Sequence, residues 1–463
     1  PMDRYDEASL GLEHLRVSGE LEMLLPGEPG FDEACVPWSA RFRNRPIAIV
    51  RPASAAGVAG VVDAARERGL KIAIQATGHG PTREADGAIL LDLSRMTQVT
   101  VDAESRRAVI GGGANWETVL AATTPHRLAP VLGSSPKVGA VGYILGGGVG
   151  WLYRKYGSGA DSVRAFELVT ADGRVRRAAA DEEPELFWAL RGAGAGHLGV
   201  VTSVEVELHP IAELYAGSLF YAADMVGDVL RRWRDWIPTV PEGLTSAVAL
   251  MNFPPLEDVP PPLRGNSFVL VRGAFDGPTA DGERLMAHWR DWREPAIDAF
   301  GPLPFERVGE VSQDPVEPMP VAITGSWVRA LSDESVDALV EHTFPSASPP
   351  ALLFAEVRHT GHRSATSGTH AMAESEVDAI AVVQLLGVTP TPAAFERVRV
   401  ILDRVMLAME PDLTGRHYLN YLEGDERRDS VEQALGADAA RRLAEVKAEV
   451  DAENTFDHGL RAH

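Results

Sequence analysis

The sequence predicts a protein of the α+β class that is built from more than one domain. The chain has 463 residues, about three times the usual length of a single domain. Strand and helix patterns alternate in its first third, and a segment of different texture with proline clusters begins after residue 210. With 45% apolar and 24% charged residues, the composition is that of a chain that folds throughout.

The opening third predicts alternating strands and helices. Apolar runs at 47–50 and 88–93 predict strands, and a third strand is expected at 72–75, where Ile72 and Ile74 alternate with other residues. Between the predicted strands at 47–50 and 72–75, apolar side chains recur at helical spacing at Val58, Val61, Val62 and Ala65. A helix is therefore expected over 55–68.

The next segments set the predicted domain boundaries. Glycine is dense over 108–150, a hairpin is predicted over 166–178 with its turn at Asp172-Gly173, and a strand over 200–208. His209-Pro210 marks a boundary, and residues 211–410 are expected to form a second, α+β domain. The last segment contains the aromatic string 418–421 and a predicted helix over 437–450. The expected domains are thus 1–210, 211–410 and 411–463.

Composition excludes several classes of function. The net charge of −22 repels phosphate backbones, so nucleic acid is not expected as a partner. A single cysteine, Cys35, allows neither an intramolecular disulfide nor a thiolate zinc site. No run reaches the roughly 20 apolar residues that a membrane helix requires, and the N-terminal stretch lacks the apolar core of a secretory signal. We therefore expect a cytoplasmic protein without a membrane partner.

Two motifs are set aside. Residues 194–199 satisfy GxGxxG, but a strand pattern follows them where a dinucleotide-binding motif needs a helix, so we expect a tight loop there. His359, His362 and His370, with Glu356 nearby, match no metal-binding spacing, and no metal is expected. The sequence motifs of serine hydrolases, P-loop proteins and zincins do not occur.

His79 stands between two glycines directly after a predicted strand. Glycines at such a place expose consecutive backbone N–H groups, which suit a pyrophosphate, and they leave the imidazole free to reach outward. The same pattern is also compatible with a turn histidine that has no chemistry. The residues alone leave both alternatives open.

Several segments, taken in chain order, resemble one known family. They are Arg51-Pro52, 77–80 (TGHG), 86–96 (DGAILLDLSRM), 111–116 (GGGANW), 146–157 (GGGVGWLYRKYG), 186–192 (LFWALRG) and 418–421 (YLNY). The chain resembles the berberine-bridge-enzyme-like branch of the vanillyl-alcohol-oxidase flavoproteins. The resemblance covers about 45–210 and 411–456, while the central 200 residues match only loosely.

The resemblance implies a fold and a cofactor. An FAD-binding domain of the PCMH type would be divided in sequence by a substrate domain whose antiparallel sheet is covered by helices. His79 would be joined covalently to the flavin 8α-methyl group, which makes the ring a better hydride acceptor. The implied cofactor-binding residues are His79, Thr77, Gly78, Gly80, Pro81, Ser134, Ser135, Val138, Gly139, Gly142, Gly148, Gly150, Trp151, Gly199, Val200 and Asn420.

The chain departs from the family pattern at several positions. Ser135 stands where many relatives have a second flavin-linking cysteine, so a flavin attached only through histidine is expected. Lys137 has two interpretations, pairing with a phosphate or facing solvent. Gly80 replaces a usual serine, His197-Leu198 replaces a usual Asn-Phe pair, and Val149 replaces the tyrosine of plant alcohol-oxidising members.

The resemblance also gives candidate catalytic residues. Tyr418 and Tyr421 belong to the string from which relatives place a tyrosine beside the flavin, and a phenol with an ordinary pKa near 10 needs help to act as a base. Glu356 and Gln384 lie in strand-like segments that would face the flavin. Core packing or structural hydrogen bonding are the alternatives for each of these side chains.

The expected function is an FAD-dependent oxidase or dehydrogenase. It would transfer a hydride from a small organic molecule, with a secondary-metabolism intermediate as the favoured substrate, and dioxygen would reoxidise the flavin. Three alternatives stay open: a sugar or oligosaccharide oxidase, a non-redox cyclase with structural FAD, and a binding protein without cofactor.

Overall fold

Three sheets follow one another along the chain, and a helical C-terminal segment packs against the second sheet. The computed structural model describes residues 10–362 and 368–462. Within those ranges, no helix combines the length and the apolar character needed to cross a membrane.

The first sheet has four strands in the order β1-β2-β4-β3. Its strands are β1 (Leu21–Leu24), β2 (Ala48–Pro52), β3 (Ile72–Gln75) and β4 (Ile89–Asp92), and its helices are α1 (Glu13–Val17), α2 (Phe31–Ala34) and α3 (Ala55–Arg68). Strand β1 is antiparallel to β2, whereas β2, β4 and β3 are mutually parallel. The strands predicted in this part are confirmed.

Helix α3 has the bounds that the sequence predicts, and local chemistry explains both ends. The Ser54 side chain accepts a hydrogen bond from the backbone N–H of Gly57, which caps the first turn. Gly69 ends the helix with a φ of 62°, a left-handed conformation that glycine adopts without strain. Val58 and Val62 are fully buried against the first sheet.

The second sheet is antiparallel, with the order β5-β6-β10-β8-β9 and with β7 paired to β10. It comprises β5 (Val99–Asp102), β6 (Arg107–Gly111), β7 (Ala129–Pro130), β8 (Val163–Val169), β9 (Val175–Ala179) and β10 (Val200–His209), with α4 (Trp116–Thr123), α5 (Ala140–Leu145), α6 (Tyr153–Tyr156) and α7 (Pro184–Ala193). The predicted hairpin is formed by β8 and β9. The loop 194–199 leads into β10, which confirms that the GxGxxG segment does not open a helix.

The third sheet has eight antiparallel strands in the order β14-β11-β13-β12-β16-β17-β15-β18. They are β11 (Glu213–Ala222), β12 (Leu244–Asn252), β13 (Ser267–Phe275), β14 (Ile297–Pro304), β15 (Val321–Val328), β16 (Phe354–His359), β17 (Ala381–Val388) and β18 (Leu413–His417), covered by α8 (Val226–Trp236), α9 (Thr279–Arg290), α10 (Asp333–Thr343) and α11 (Pro392–Met409). Residues of β16 and β17 pair so that Glu356 lies opposite Gln384.

The C-terminal segment returns to the first part of the chain. It contains α12 (Gly424–Asp429), α13 (Val431–Leu435) and α14 (Ala437–Val450), and the last of these has the predicted bounds. Leu443 and Val446 of α14 belong to the same core as the second sheet. The division into domains stays a prediction, and β18, which lies beyond residue 410, completes one edge of the third sheet.

Candidate active site

A cavity of about 330 Å³ lies where segments of all three sheets and the C-terminal part meet. The residues that line it come mainly from β3 and the loop after it (73–85), the segments 133–145 and 195–201, the segment 314–323, strands β16 and β17, and residues 418–427. The cavity therefore joins regions that are hundreds of residues apart in sequence.

His79 lies in the loop after β3, in the cavity wall. The Trp38 ring stacks on its imidazole with centroids 4.4 Å apart, and Thr77 Oγ1 lies 2.8 Å from Nδ1. Burial lowers the pKa of His79 to about 4, because the charged form loses solvation. The imidazole is therefore oriented and uncharged at neutral pH.

Gly80 gives space to an arginine of the C-terminal segment. A β-carbon at this position would lie 2.6 Å from Nη1 of Arg427, and the φ of Gly80 is 57°. Arg427 is buried and donates hydrogen bonds to the Gly80 carbonyl and to Asn420 Oδ1. The serine that relatives usually have at position 80 would require this guanidinium to shift and would adopt a strained left-handed backbone conformation.

The segment before α5 forms the wall near His79. Gly139 N–H donates to Thr77 Oγ1 at 3.3 Å, and Ser134 and buried Ser135 line the cavity. Lys137 is not part of the lining and instead pairs with Glu117 at 2.6 Å on the surface. Of the two interpretations of Lys137, pairing with a phosphate or facing solvent, the structure agrees with the second.

The two tyrosines of the C-terminal string are adjacent, with ring centroids 4.7 Å apart. The Tyr418 hydroxyl oxygen accepts hydrogen bonds from Val149 N–H at 3.0 Å and from Asn420 Nδ2 at 3.2 Å. Desolvation raises the pKa of Tyr418 to about 12 and raises that of Tyr421 as well. Both phenols are therefore protonated at neutral pH.

Glu356 lies behind the cavity wall, between two buried arginines. Its Oε2 accepts from Arg272 Nε at 2.7 Å, and its Oε1 pairs with Arg358 Nη2, also at 2.7 Å. All three side chains are at most 3% exposed. The arginines outweigh the desolvation of Glu356 and hold its pKa below the ordinary value. Arg358 also lies over the Trp151 ring, 4.1 Å from its centroid.

Most predicted site residues share this cavity. Its lining includes Thr77, Gly78, His79, Gly80, Pro81, Ser134, Ser135, Val138, Gly139, Gly142, Gly199, Gln384, Tyr418, Asn420 and Tyr421. Five predicted residues lie outside the lining, namely Gly148, Gly150, Trp151, Val200 and Glu356. Among the described residues, no group of three or more His, Cys, Asp or Glu side chains is placed to hold a metal ion.

Comparison with known proteins identifies the family. Residues 46–179 match the family model of an FAD binding domain. The (R)-6-hydroxynicotine oxidase of Paenarthrobacter nicotinovorans is 30% identical over 458 residues, which cover 94% of this chain and 95% of that relative. The chain belongs to the berberine-bridge-enzyme-like FAD-linked oxidoreductases. It is thus an FAD-dependent oxidoreductase and binds FAD.

Solved structures of this family confirm the predicted fold. The BBE-like 1 protein of Physcomitrella patens superposes with a TM-score of 0.82 at 20% identity, covering 98% of this chain and 100% of that one. The glucooligosaccharide oxidase of Acremonium strictum, described with a 6-S-cysteinyl, 8α-N1-histidyl FAD, has a TM-score of 0.81 at 20% identity, covering 98% and 99%.

The residues of this BBE-like protein fit the cofactor. Buried polar atoms in the cavity wall have no hydrogen-bond partner among the described residues: Tyr143 Oη, Arg427 Nε and Nε2 of His458, whose Nδ1 pairs with Asp457. An unpaired buried polar atom is costly, so a wall with three of them is suited to a polar ligand. Together with His79, they would hold FAD.

Sequence reasoning missed several residues of the lining. Arg427, Tyr143, His458, Trp38 and Asp314 all face the cavity, but none belongs to a recognisable spacing. For Arg427, the sequence offers one indirect indication, which is the glycine that replaces the usual serine at position 80. The Arg427 guanidinium lies where a β-carbon at that position would contact it. For the other four, no sequence signal indicates the contact.

His197, a departure from the family pattern, is buried outside the cavity lining. Its Nε2–H donates to the Ala193 carbonyl at 2.6 Å, while Nδ1 has no partner among the described residues. Burial lowers the pKa of His197 from 6.5 to about 4. The imidazole of His197 is therefore neutral at pH 7 in the folded protein, and it donates one hydrogen bond to the backbone.

We expect His197→Asn to reduce the acid sensitivity of the fold. Because the unfolded state binds the proton first, stability falls as pH decreases from about 6.5 to about 4, by a total of about 3 kcal/mol for this residue. Urea unfolding at pH 7 and pH 4 should show a smaller difference in the variant than in the natural protein. Exposed His126→Asn is the control, and an equal difference in all three proteins would contradict the prediction.

Proposed function

We propose that this protein attaches FAD through His79 alone and oxidises a compact, mainly apolar molecule that carries a hydroxyl or amino group. The observation that supports this most directly is that one cavity is lined by His79, by Ser135 and by side chains of the third sheet. Bound FAD supplies a two-electron acceptor that takes a hydride from a substrate carbon.

The state of His79 favours a covalent bond. A neutral imidazole has a nitrogen lone pair available for a bond to carbon, and the low pKa of His79 keeps it neutral. The stacked Trp38 ring and Thr77 fix the orientation of the imidazole. Ser135 offers a hydroxyl where the family pattern has a second flavin-linking cysteine, so a second bond is not expected here.

The third sheet gives the cavity a mainly apolar face. The side chains that it contributes are Val321, Ile323, Phe354, Gln384 and Leu386, of which only Gln384 is polar. An oligosaccharide carries many hydroxyl groups that need polar partners, so this face favours a compact substrate such as a secondary-metabolism intermediate. Dioxygen is the proposed final electron acceptor.

The proposal is tested by the colour of the acid-precipitated protein and by anaerobic bleaching of its flavin. Suitable probes are (R)-6-hydroxynicotine, benzyl alcohol and cellobiose, which represent an amine, an aromatic alcohol and a sugar. A yellow pellet and bleaching by one of the first two support the proposal. A colourless pellet contradicts the covalent flavin, bleaching by cellobiose alone favours the sugar oxidase, and product formation without bleaching favours the cyclase.

Tyr421 and Tyr418 should respond differently to loss of the hydroxyl. Tyr421 faces the cavity, so Tyr421→Phe should remove a hydrogen bond to the substrate and lower kcat/KM by about tenfold. Tyr418→Phe leaves the Val149 N–H without its acceptor, while Asn420 Nδ2 still donates to the Tyr143 carbonyl, and the change should destabilise the protein by about 1–3 kcal/mol. Anaerobic flavin reduction and urea unfolding measure the two effects. Equal rates in the natural protein and Tyr421→Phe would contradict the substrate contact.

A thiol at position 135 should change the flavin attachment. Ser135 is buried in the cavity wall, and Pro136, Val138 and Gly139 still match the family segment that carries the second link. We expect Ser135→Cys to alter the flavin absorbance and to make the reduction potential more positive. Ser134→Cys is the neighbouring control, and an unchanged spectrum and potential in Ser135→Cys would show that the local backbone has diverged.

A further inference from the structure

Asp314 is a carboxylate of the cavity wall to which neither the family pattern nor the proposed function gives a role. It lines the cavity together with Tyr421 and Gln384. Its Oδ2 accepts a hydrogen bond from Ser134 Oγ at 2.9 Å. No residue in the described ranges donates a hydrogen bond to Oδ1, so this oxygen is available to a bound molecule.

The backbone around Asp314 is held in one conformation. Gln313 directly before it has a φ of 50°, a left-handed conformation that is costly for a residue with a side chain and persists only when the surroundings impose it. The Gln313 N–H donates to the Gly309 carbonyl at 3.1 Å. On the other side, Pro315 restricts the conformations open to Asp314. The carboxylate is thus oriented before any ligand binds.

The buried arginine pair connects this loop to the third sheet. Arg272 Nη1 donates to the Ser312 carbonyl at 3.1 Å, while its other nitrogens bind Glu356. The positive charge of Arg272 and Arg358 is thereby directed mainly to Glu356. Burial raises the pKa of Asp314, and the Glu356 charge adds to this effect, against the arginines and the Ser134 hydrogen bond. A carboxylate with a raised pKa accepts a proton more readily.

The other carboxyl, phenol and amide groups considered for this role are less suited to accept a proton. Glu356 lies outside the lining and is paired with two arginines. Burial also raises the pKa of Glu423, which lines the cavity, but both of its oxygens already accept hydrogen bonds, Oε2 from Ser39 and Oε1 from Arg41. The tyrosines are protonated at neutral pH, as argued above, and the amide of Gln384 is not basic.

We propose that Asp314 is the catalytic base of the reaction. The inference rests on the proposed function. Oδ1 of Asp314 takes the proton from the hydroxyl or amino group of the substrate. The electron pair of that O–H or N–H bond forms the second bond to carbon, while the C–H electron pair leaves with its hydrogen as hydride to FAD. The substrate loses two electrons and FAD gains them, so the step balances.

Asp314→Asn tests the proposal because it keeps the size of the side chain and removes its basicity. With the probe that bleaches the natural holoenzyme, we expect flavin reduction to slow by about 10²–10⁴. The bound FAD, measured by absorbance after purification, should be unchanged. Glu317→Gln, on the exposed part of the same loop, is the control and should reduce its flavin at the natural rate.

A second measurement needs no substrate. Ionisation of a carboxyl at the cavity should perturb the flavin absorbance, so the natural holoenzyme should show a spectral transition above the ordinary range of aspartate pKa values. Asp314→Asn should lack this transition, and Glu317→Gln should retain it.

The outcomes separate this inference from the proposed function. An identical spectral titration in Asp314→Asn and the natural protein would overturn the assignment of Asp314. Flavin reduction at the natural rate in Asp314→Asn would also overturn this assignment. In that case, bleaching of the natural holoenzyme by the probe would still support the proposed oxidase function. If Tyr421→Phe showed the large loss instead, the base would be the tyrosine. A natural protein that contains no flavin would contradict the proposed function itself.

Discussion

His79→Ala is expected to release all of its flavin on acid precipitation, whereas the natural protein should give a yellow pellet. The imidazole is the nitrogen nucleophile that the structure orients in the cavity wall, stacked on Trp38 and neutral because its pKa is about 4. Since Ser135 cannot form a thioether, no other covalent anchor is expected. The supernatant and pellet absorbance at the flavin bands measures the two fractions.

The matched control is His126→Ala, at an exposed histidine far along the sequence, and its pellet should stay yellow. Total flavin is measured before precipitation, so that loss of binding is distinguished from loss of the covalent bond. Noncovalent contacts, including those of Arg427 and Tyr143, should retain part of the FAD in His79→Ala at neutral pH. A yellow pellet from His79→Ala would disprove the assignment of this residue.

Much of the fold was predictable because its signals are local. Helix α3 is defined by apolar residues at helical spacing between Ser54 and Gly69, and these features act within one turn of the chain. Hairpin β8–β9 is likewise specified by its Asp172-Gly173 turn. The order of the eight strands in the third sheet was not predictable, because it depends on pairings between distant segments such as β15 and β18.

The cofactor side of the site was predictable only through the family resemblance, whose glycine-rich segments carry a recognisable pattern. The substrate side was not. Asp314 reaches the cavity because Gln313 has a left-handed backbone conformation and because Ser134, 180 residues away in sequence, donates a hydrogen bond to the Asp314 carboxylate. Neither the left-handed conformation of a glutamine nor such a long-range hydrogen bond leaves a periodic signal in the sequence.

Glu356 illustrates the same limit. Its place in a strand is confirmed by β16, but its two partners could not be identified from the sequence. Arg358 is two residues away on the same strand, and Arg272 is on β13, 84 residues earlier. Because both oxygens of Glu356 are paired with arginines, Glu356 has no free oxygen for a ligand. Asp314, in contrast, lines the cavity and has one oxygen without a hydrogen-bond donor among the described residues.

Glu356→Gln is therefore expected to lower stability strongly, by about 3–5 kcal/mol, because it leaves two buried guanidinium groups without a counter-charge. An exposed pair offers the matched control: Glu205→Gln removes the partner of Arg107, which is 47% exposed, and such pairs contribute at most about 1 kcal/mol. Urea unfolding of the holoenzymes, followed by tryptophan fluorescence, measures both changes. Equal unfolding midpoints in the two variants would contradict the structural role of the triad.

The pH dependence of the free energy of unfolding provides a second, independent test of the role of Glu356. Since the folded-state pKa of Glu356 lies below its ordinary value of 4.5, its contribution is complete above pH 4.5 and is lost as pH falls through the folded-state pKa. The natural protein should therefore lose more stability than Glu356→Gln between pH 6 and pH 3. Glu356→Asp keeps the charge and should retain the acid-dependent loss, although its shorter side chain weakens the contacts with Arg272 and Arg358. If Glu356→Gln lost stability with acid as steeply as the natural protein, another carboxylate would be responsible for the acid sensitivity.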